Sequence, residues 1–271
     1  MLEEIKKILK KILPSFIFRF VASYRYGFFG PYKSWEEAKK KSSGYDSELI
    51  LNKVKNSLLK VKRGEAMFER DSVVFEKTEY GWPLLSILLF IASKNVNKLS
   101  VLDFGGSLGS TYFQNKFFLD QLLGLKWNIV EQPNFTACGK EYFSDEHLSF
   151  YSSIKECLEK DFPSAIIFSS VIEYLEKPYE VLKEVMDSNF QYVIFDRTTF
   201  LQKGDDMITL QKVPPQVYDA SYPCWFLNED KLINFLSSKY DLILDFKSLG
   251  GEIKQHNIKG EYKGLFFKLR Q

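Results

Sequence analysis

Residues 102–110 read LDFGGSLGS and continue the apolar run that begins at Leu99. An acid and three glycines, Asp103, Gly105, Gly106 and Gly109, thus stand between a predicted strand, LSVLDF, and a predicted helix from about Ser110 to Leu123. Glycine adopts backbone conformations that a Cβ forbids and lets the chain come close to a ligand. In sheets of parallel strands joined by helices, the turn after the first strand lies outside the strand's carboxyl end, where ligands bind. Asp103 would stand at the lip of that crevice, able to accept a bond from a ligand ammonium or from the loop's own amides.

Farther on, WNIVEQ (residues 127–132) closes a second predicted strand with Glu131 and Gln132. A carboxylate at this place grips ribose hydroxyls in nucleotide-type folds, and it can accept from both hydroxyls at once. The alternation then continues through LSFYS, a helix at Ile154 to Glu159, SAIIFSS, a helix through Pro178 to Met186, and QYVIFDR. The strands are short and mostly apolar, as expected of parallel strands covered on both faces. YDLILDFKS and YKGLFFKLR have no helix between them, so the chain should end in an antiparallel pair. The fold expected is α/β, a Rossmann-like sheet of seven mostly parallel strands with an antiparallel last strand, preceded by a helical N-terminal extension.

That extension carries the basic charge. Up to Arg63 there are 15 Lys and Arg against 6 Asp and Glu, about +9, whereas the whole chain of 271 residues is +2, leaving the remainder near −7. We therefore expect residues 1–63 to be a basic helical cap and residues 64–271 the Rossmann-like domain. Leu2, Ile5, Leu9 and Ile12 repeat at helical spacing opposite Lys6, Lys7, Lys10 and Lys11. Such a face suits peripheral membrane contact through residues 1–20, or an apolar patch on this chain or a partner. Ser34 should cap a short helix, and a longer helical pattern runs from Asp46 to Lys62. TEYGWPLLSILLFIASKN should be a buried helix up to Asn95.

No stretch reaches the roughly eighteen uninterrupted apolar residues of a membrane span, and no small-residue cleavage site follows the basic start, so export is not expected. Cys138, Cys157 and Cys224 have neither paired metal-ligand spacing nor an even number, which suits a reducing cytoplasm and leaves no metal expected. The acidic balance of the α/β part argues against a nucleic-acid partner.

Two further readings compete for the loop. Gly105, Ser107 and Gly109 spell G-x-S-x-G, the nucleophile elbow of serine hydrolases, which needs a downstream acid and then a histidine; His256 stands late enough to serve. Against this, the loop follows the first clear strand, whereas the elbow follows several. Gly105, Gly106 and Gly109 do not reproduce the dinucleotide pattern G-x-G-x-x-G.

FGPYKSWEEAKKKSSGY, LDFGGSLGSTYFQNKFFL, WNIVEQ, FSSVIEYLEKPYEVL, FDRTTF and ITLQKVPPQVYDASYPCWF together resemble a family of class I methyltransferases associated with bacterial surface-polysaccharide gene clusters. The resemblance covers most of the chain from about Phe29 and departs from the general pattern D-x-G-x-G-x-G at Ser107, which replaces the middle glycine. It implies S-adenosylmethionine as methyl donor and S-adenosylhomocysteine as product, with a carbohydrate-type small-molecule acceptor methylated on oxygen or nitrogen. Asp103, Gly105, Gly106, Ser107, Gly109, Glu131, Gln132, Ser169 and Ser170 would then surround the cofactor. Tyr174, Asp196, Arg197 and Tyr222 are the candidates for chemistry, with Glu173 and Trp225 nearby. Asp196 and Arg197 could instead pair and brace their loop. Thr198 to Pro223 is long for a connection and is a candidate lid, or a rigid surface loop in which ITLQKVP forms a small strand. A non-catalytic binding module of the same fold is the remaining alternative.

Overall fold

A computed structural model describes residues 25–44, 47–77, 79–201, 203–215, 217–255 and 257–270. The amphipathic stretch at residues 1–20 and His256 lie outside the described residues.

The described chain opens with β1 (Gly27–Tyr32), α1 (Trp35–Lys40) and α2 (Ser47–Lys62). Ser34 caps α1, its hydroxyl accepting from the Glu37 amide at 3.2 Å, with acids in the first turn and lysines in the last as the helix dipole favours. A hairpin of β2 (Phe68–Arg70) and β3 (Val73–Phe75) follows, then α3 (Trp82–Lys94). Pro83 opens α3, and Leu84, Leu85, Ile87, Leu88, Ile91 and Ala92 bury its inner side.

The alternating part comprises β4 (Lys98–Phe104), α4 (Ser110–Leu119), β5 (Gly124–Val130), α5 (Pro133–Tyr142), β6 (Leu148–Tyr151), α6 (Ile154–Leu158) and β7 (Ala165–Ser169). A 3-10 turn at Ile172–Tyr174 leads to α7 (Pro178–Ser188), β8 (Tyr192–Leu201), β9 (Met207–Lys212) and β10 (Ser221–Asn228). The chain ends with α8 (Glu229–Leu236), β11 (Tyr240–Gln255) and β12 (Ile258–Leu269). Asn228 caps α8 by accepting from the Lys231 amide at 2.7 Å.

Seven strands form the expected sheet in the order β6-β5-β4-β7-β8-β12-β11. All neighbours from β6 to β8 are parallel, while β12 runs antiparallel to both β8 and β11. Successive residues of β4 face opposite layers: Val101 packs with Leu88, Tyr112 and Phe135, whereas Leu102 packs with Ile154, Leu182 and Leu232. Both faces are therefore covered by helices, and that is why the strands read as continuous apolar runs.

Three more strands extend the sheet to ten. Beyond the end of β7, the tip of β8 pairs in parallel with β10 (Phe200 opposite Leu227), and β10, β9 and β1 continue as antiparallel neighbours. The connection expected over Thr198–Pro223 is thus largely strand, including the ITLQK segment, and among the described residues only 203–206 and those between Lys212 and Ser221 lie outside strands. The physical reason is side-chain burial on a pleated surface: Thr198, Thr199, Phe200, Thr209 and Leu210 are all buried, and β-branched and aromatic residues suit such positions. No helix among the described residues is long and apolar enough to cross a membrane.

Candidate active site

The sheet order reverses at β4, whose successor β5 lies on one side and β7 on the other. Crevices at such a reversal, outside the carboxyl ends of the strands, are where open α/β sheets bind ligands. A cavity of about 960 Å³ occupies this place.

Its floor is the glycine loop. Gly105 has φ +68° and its amide donates to the Val130 carbonyl at 2.8 Å. A Cβ on Gly105 would stand 2.3 Å from Val171 Cγ2, and one on Gly106 would stand 2.6 Å from the Asp103 carboxyl, so neither position admits a side chain. Ser107 also takes a left-handed conformation, φ +55°, at an energetic cost that glycine would not incur. Asp103 is 1% exposed; one oxygen accepts from the Trp127 indole at 3.1 Å, and Oδ1 has no partner among the described residues. Burial pushes its carboxyl up to about 7. Glu131 directly follows β5 beside the loop, accepting from the Gln132 amide at 2.7 Å. Burial raises its pKa as well, against the pull of the Gln132 and Ser107 amides.

Of the residues singled out from the sequence, Asp103, Gly105, Gly106, Ser107, Glu131, Gln132, Ser169, Ser170, Tyr174, Arg197 and Tyr222 line this one cavity. Gly109 and Asp196 do not. Gly109, φ +104°, turns the chain into α4. Asp196 lies behind the wall and braces it, accepting from Ser248 Oγ at 2.8 Å and Ser169 Oγ at 3.0 Å, with the Arg197 Nε at 3.7 Å. Glu173 is fully enclosed without lining the cavity, both its oxygens lack hydrogen-bond partners among the described residues, and burial pushes it up to about 8.

One wall of the cavity is phenolic. Tyr174 donates to Gln211 Oε1 at 2.8 Å, and the Tyr222 hydroxyl is 3.3 Å from that of Tyr218. Burial pushes Tyr218 up to about 12 and drives Tyr174 and Tyr222 higher still, so these groups stay neutral and act by packing and hydrogen bonding.

The sequence reading missed the β2–β3 hairpin, which brings Glu69, Arg70 and Asp71 to the cavity. Glu69 is 3% exposed, accepts from the Ser72 amide at 2.5 Å and from the Ser110 hydroxyl, and is pushed by burial up to about 7. The available signal was MFERDSVVF, two short runs around Asp71-Ser72; both turn residues are left-handed, at φ +52° and +66°, as two-residue hairpins prefer. Glu69, Asp71, Asp103, Glu131 and Glu184 make the lining acidic, while Arg70 is paired with Glu79 at 3.0 Å and Arg197 faces Asp196.

Ser107 lacks a histidine partner among the described residues. His147 sits at the amino ends of the strands, its Nδ1 3.2 Å from the Leu125 carbonyl and at the opposite end of the sheet from the loop. Among the described residues no group of three or more His, Cys, Asp or Glu is arranged to hold a metal ion.

No protein-family model matches the sequence, and no curated protein matches it. Among solved structures, the chain is similar to the N-terminal domain of EvdMO1, crystallised in the presence of SAH and D-fucose, at TM-score 0.46 and 11% identity over 83% of this chain and 98% of that one. It is also similar to magnesium protoporphyrin IX methyltransferase (ChlM) from Synechocystis PCC 6803 with bound SAM, at TM-score 0.41 and 12% identity over 70% and 77% of the two chains. A S-adenosylmethionine-dependent methyltransferase from Clostridium acetobutylicum ATCC 824 matches at TM-score 0.45 and 10% identity over 71% and 93%.

Proposed function

We propose that this protein transfers a methyl group from S-adenosylmethionine to a hydroxyl or amine of a sugar or nucleotide-linked sugar. The observation that carries this is the cavity at the sheet reversal, where two glycines leave no room for a Cβ, Asp103 Oδ1 is buried without a partner, and Glu131 closes the neighbouring strand. An orphaned buried carboxyl oxygen suits a ligand ammonium, and a strand-end carboxylate suits a ribose diol. Single small-molecule sites span roughly 300–1,000 Å³, so a cavity of about 960 Å³ has room for a nucleoside donor and a compact acceptor together.

Bound there, S-adenosylmethionine supplies a methyl group on a sulfonium, a leaving group that needs no protonation. The protein's task is to align the acceptor and take its proton. Tyr174, Tyr222 and Trp35 offer flat, partly polar walls on which a sugar ring can rest. Asp71, at the turn of the β2–β3 hairpin, lines the same cavity as Tyr218, Tyr222 and Tyr262 and serves as the acceptor-side carboxylate. Asp196 serves at one remove, holding Ser169 and Arg197 in place. The buried free thiols of Cys138, Cys157 and Cys224 suit a cytoplasmic setting.

Methyl transfer from labelled S-adenosylmethionine to a panel of nucleotide-linked hexoses and aminohexoses tests the proposal. It requires label in at least one sugar and S-adenosylhomocysteine in equal amount; a protein that binds the donor but labels none of the panel would refute the acceptor class.

A further inference from the structure

The strands added to the seven-stranded sheet supply one wall of the cavity, and they bring no charge to it. From β9 through β10 every described lining residue is neutral: one amide, Gln211, two phenols, Tyr218 and Tyr222, and otherwise valine and proline. The charged lining residues all come from elsewhere, from the β2–β3 hairpin, from in or just past β4, β5 and β8, and from α7.

Gln211 is the hydrogen-bonding centre of this wall. It stands on β9 directly opposite Tyr222 of β10, and register partners on adjacent strands share a face. Its Oε1 accepts from the Tyr174 hydroxyl at 2.8 Å. With that oxygen engaged, the carboxamide has Nε2 left, two N–H donors without an acceptor among the described residues. A half-buried donor beside a cavity is costly until a ligand or water accepts from it.

The place of this wall in the sheet separates it from the ribose carboxylate. Glu131 follows β5, whereas the extension is joined to β8, three strand spacings away, roughly 14 Å. A donor whose ribose is held at Glu131 leaves the Gln211 wall to the acceptor. We propose that this wall reads an uncharged, hydroxyl-bearing sugar ring, with Gln211 Nε2 donating to a ring hydroxyl oxygen as the specificity-determining contact, and that the methyl group is placed on oxygen. This rests on the methyltransferase reading and narrows its acceptor. A neutral hydroxyl exchanges water for the amide and the phenols, whereas an ammonium or carboxylate on the ring would lose its hydration to a wall that offers no countercharge. In the transfer a lone pair of the acceptor oxygen forms the C–O bond as the methyl–sulfur bond breaks, its electron pair staying on sulfur, and the hydroxyl proton passes to Asp71.

The test uses three nucleotide-linked sugars of one ring configuration, a hexose, the aminohexose with its amine free, and the hexuronate. Each is offered with labelled S-adenosylmethionine to the wild-type protein, Gln211→Glu and Gln211→Leu. Gln211→Glu keeps an acceptor for Tyr174 and loses the amide donor, and Gln211→Leu removes both. Wild type should label the hexose at least about tenfold more efficiently, as kcat/KM, than either charged sugar. A lost neutral hydrogen bond corresponds to about twofold to tenfold in affinity. Both variants should raise KM for the hexose by that factor with kcat changed less, and should weaken the same sugar when it is titrated calorimetrically into donor-free protein. Their affinity for S-adenosylhomocysteine should stay within about twofold of wild type, which also reports that they are folded. Equal or preferential labelling of a charged sugar overturns the inference and leaves methyl transfer standing. So does a hexose KM and Kd unchanged in both variants, or a loss of S-adenosylhomocysteine that matches the loss of sugar in both. A wild-type protein that labels none of the three refutes the sugar acceptor itself, and one that binds no S-adenosylhomocysteine refutes the donor.

Discussion

The ring of Tyr174 meets that of Tyr222 edge-on, with centroids 5.3 Å apart and planes at 89°, so that a residue of the turn after β7 and a residue of β10 form one wall. The two come from parts of the fold with different roles. Tyr174 follows a strand of the parallel sheet, whereas Tyr222 belongs to the antiparallel extension, on β10 opposite Gln211 of β9.

Replacing Tyr222 by Ala should therefore act on the acceptor and not on the cofactor. An aromatic pair contributes about 0.5–1.5 kcal/mol beyond its buried area. The Michaelis constant for the sugar should rise by about threefold to tenfold, with donor affinity unchanged within about twofold. Tyr222→Phe should retain most of the acceptor affinity, and steady-state kinetics on the three proteins check this.

Gly106 tests the loop. An alanine Cβ would lie 2.6 Å from the Asp103 carboxyl, which is pinned by Trp127. Overpacking of this kind costs about 1–3 kcal/mol, and the carboxyl must turn away from the ligand to relieve it. Gly106→Ala should lower the melting temperature by several degrees and weaken S-adenosylhomocysteine by about tenfold or more, as read by melting curves with and without ligand.

Glu173 makes a pH-dependent statement. Burial holds its carboxyl at about 8, above the value near 4.3 of an unfolded glutamate. Between those values the folded state binds the extra proton, so stability is full below the unfolded pKa and falls as pH rises through the folded one. Glu173→Gln removes the titrating group without changing its shape. The variant should melt above the wild type at pH 8.5, and the gap should shrink toward pH 5. An unchanged gap across that range would show that Glu173 is not held neutral.

Ser107 separates methyl transfer from hydrolysis. In a hydrolase its hydroxyl would be the nucleophile, and either Ser107→Ala or Ser107→Gly would abolish activity. The cavity geometry predicts otherwise. Ser107→Gly removes a left-handed side-chain-bearing residue, and donor affinity should stay within about threefold of wild type.

The parts of the site legible in the sequence are those built by neighbours along the chain. LDFGGSLGS, WNIVEQ and FSSVIEY each place a strand end and a turn within one short window, and all three arrive at the cavity. The hairpin and the outer strands were not legible because their partners are remote: Phe29 pairs with Leu210, and Glu69 is enclosed only when Ser110 comes beside it. In isolation ERDS resembles an exposed charged turn. Asp196 failed differently. Its chemical type fitted a catalytic role, but Ser248, more than fifty residues later, claims one of its oxygens and leaves it a support.

The donor site stands or falls on Glu131. Calorimetric titration of S-adenosylhomocysteine into the wild-type protein and into Glu131→Ala should give one site per chain, weakened by about tenfold or more in the variant as two ribose hydroxyls lose their acceptor. Absence of heat and of any melting shift in a folded wild-type protein at millimolar ligand, or equal affinity in the two proteins, would contradict the account.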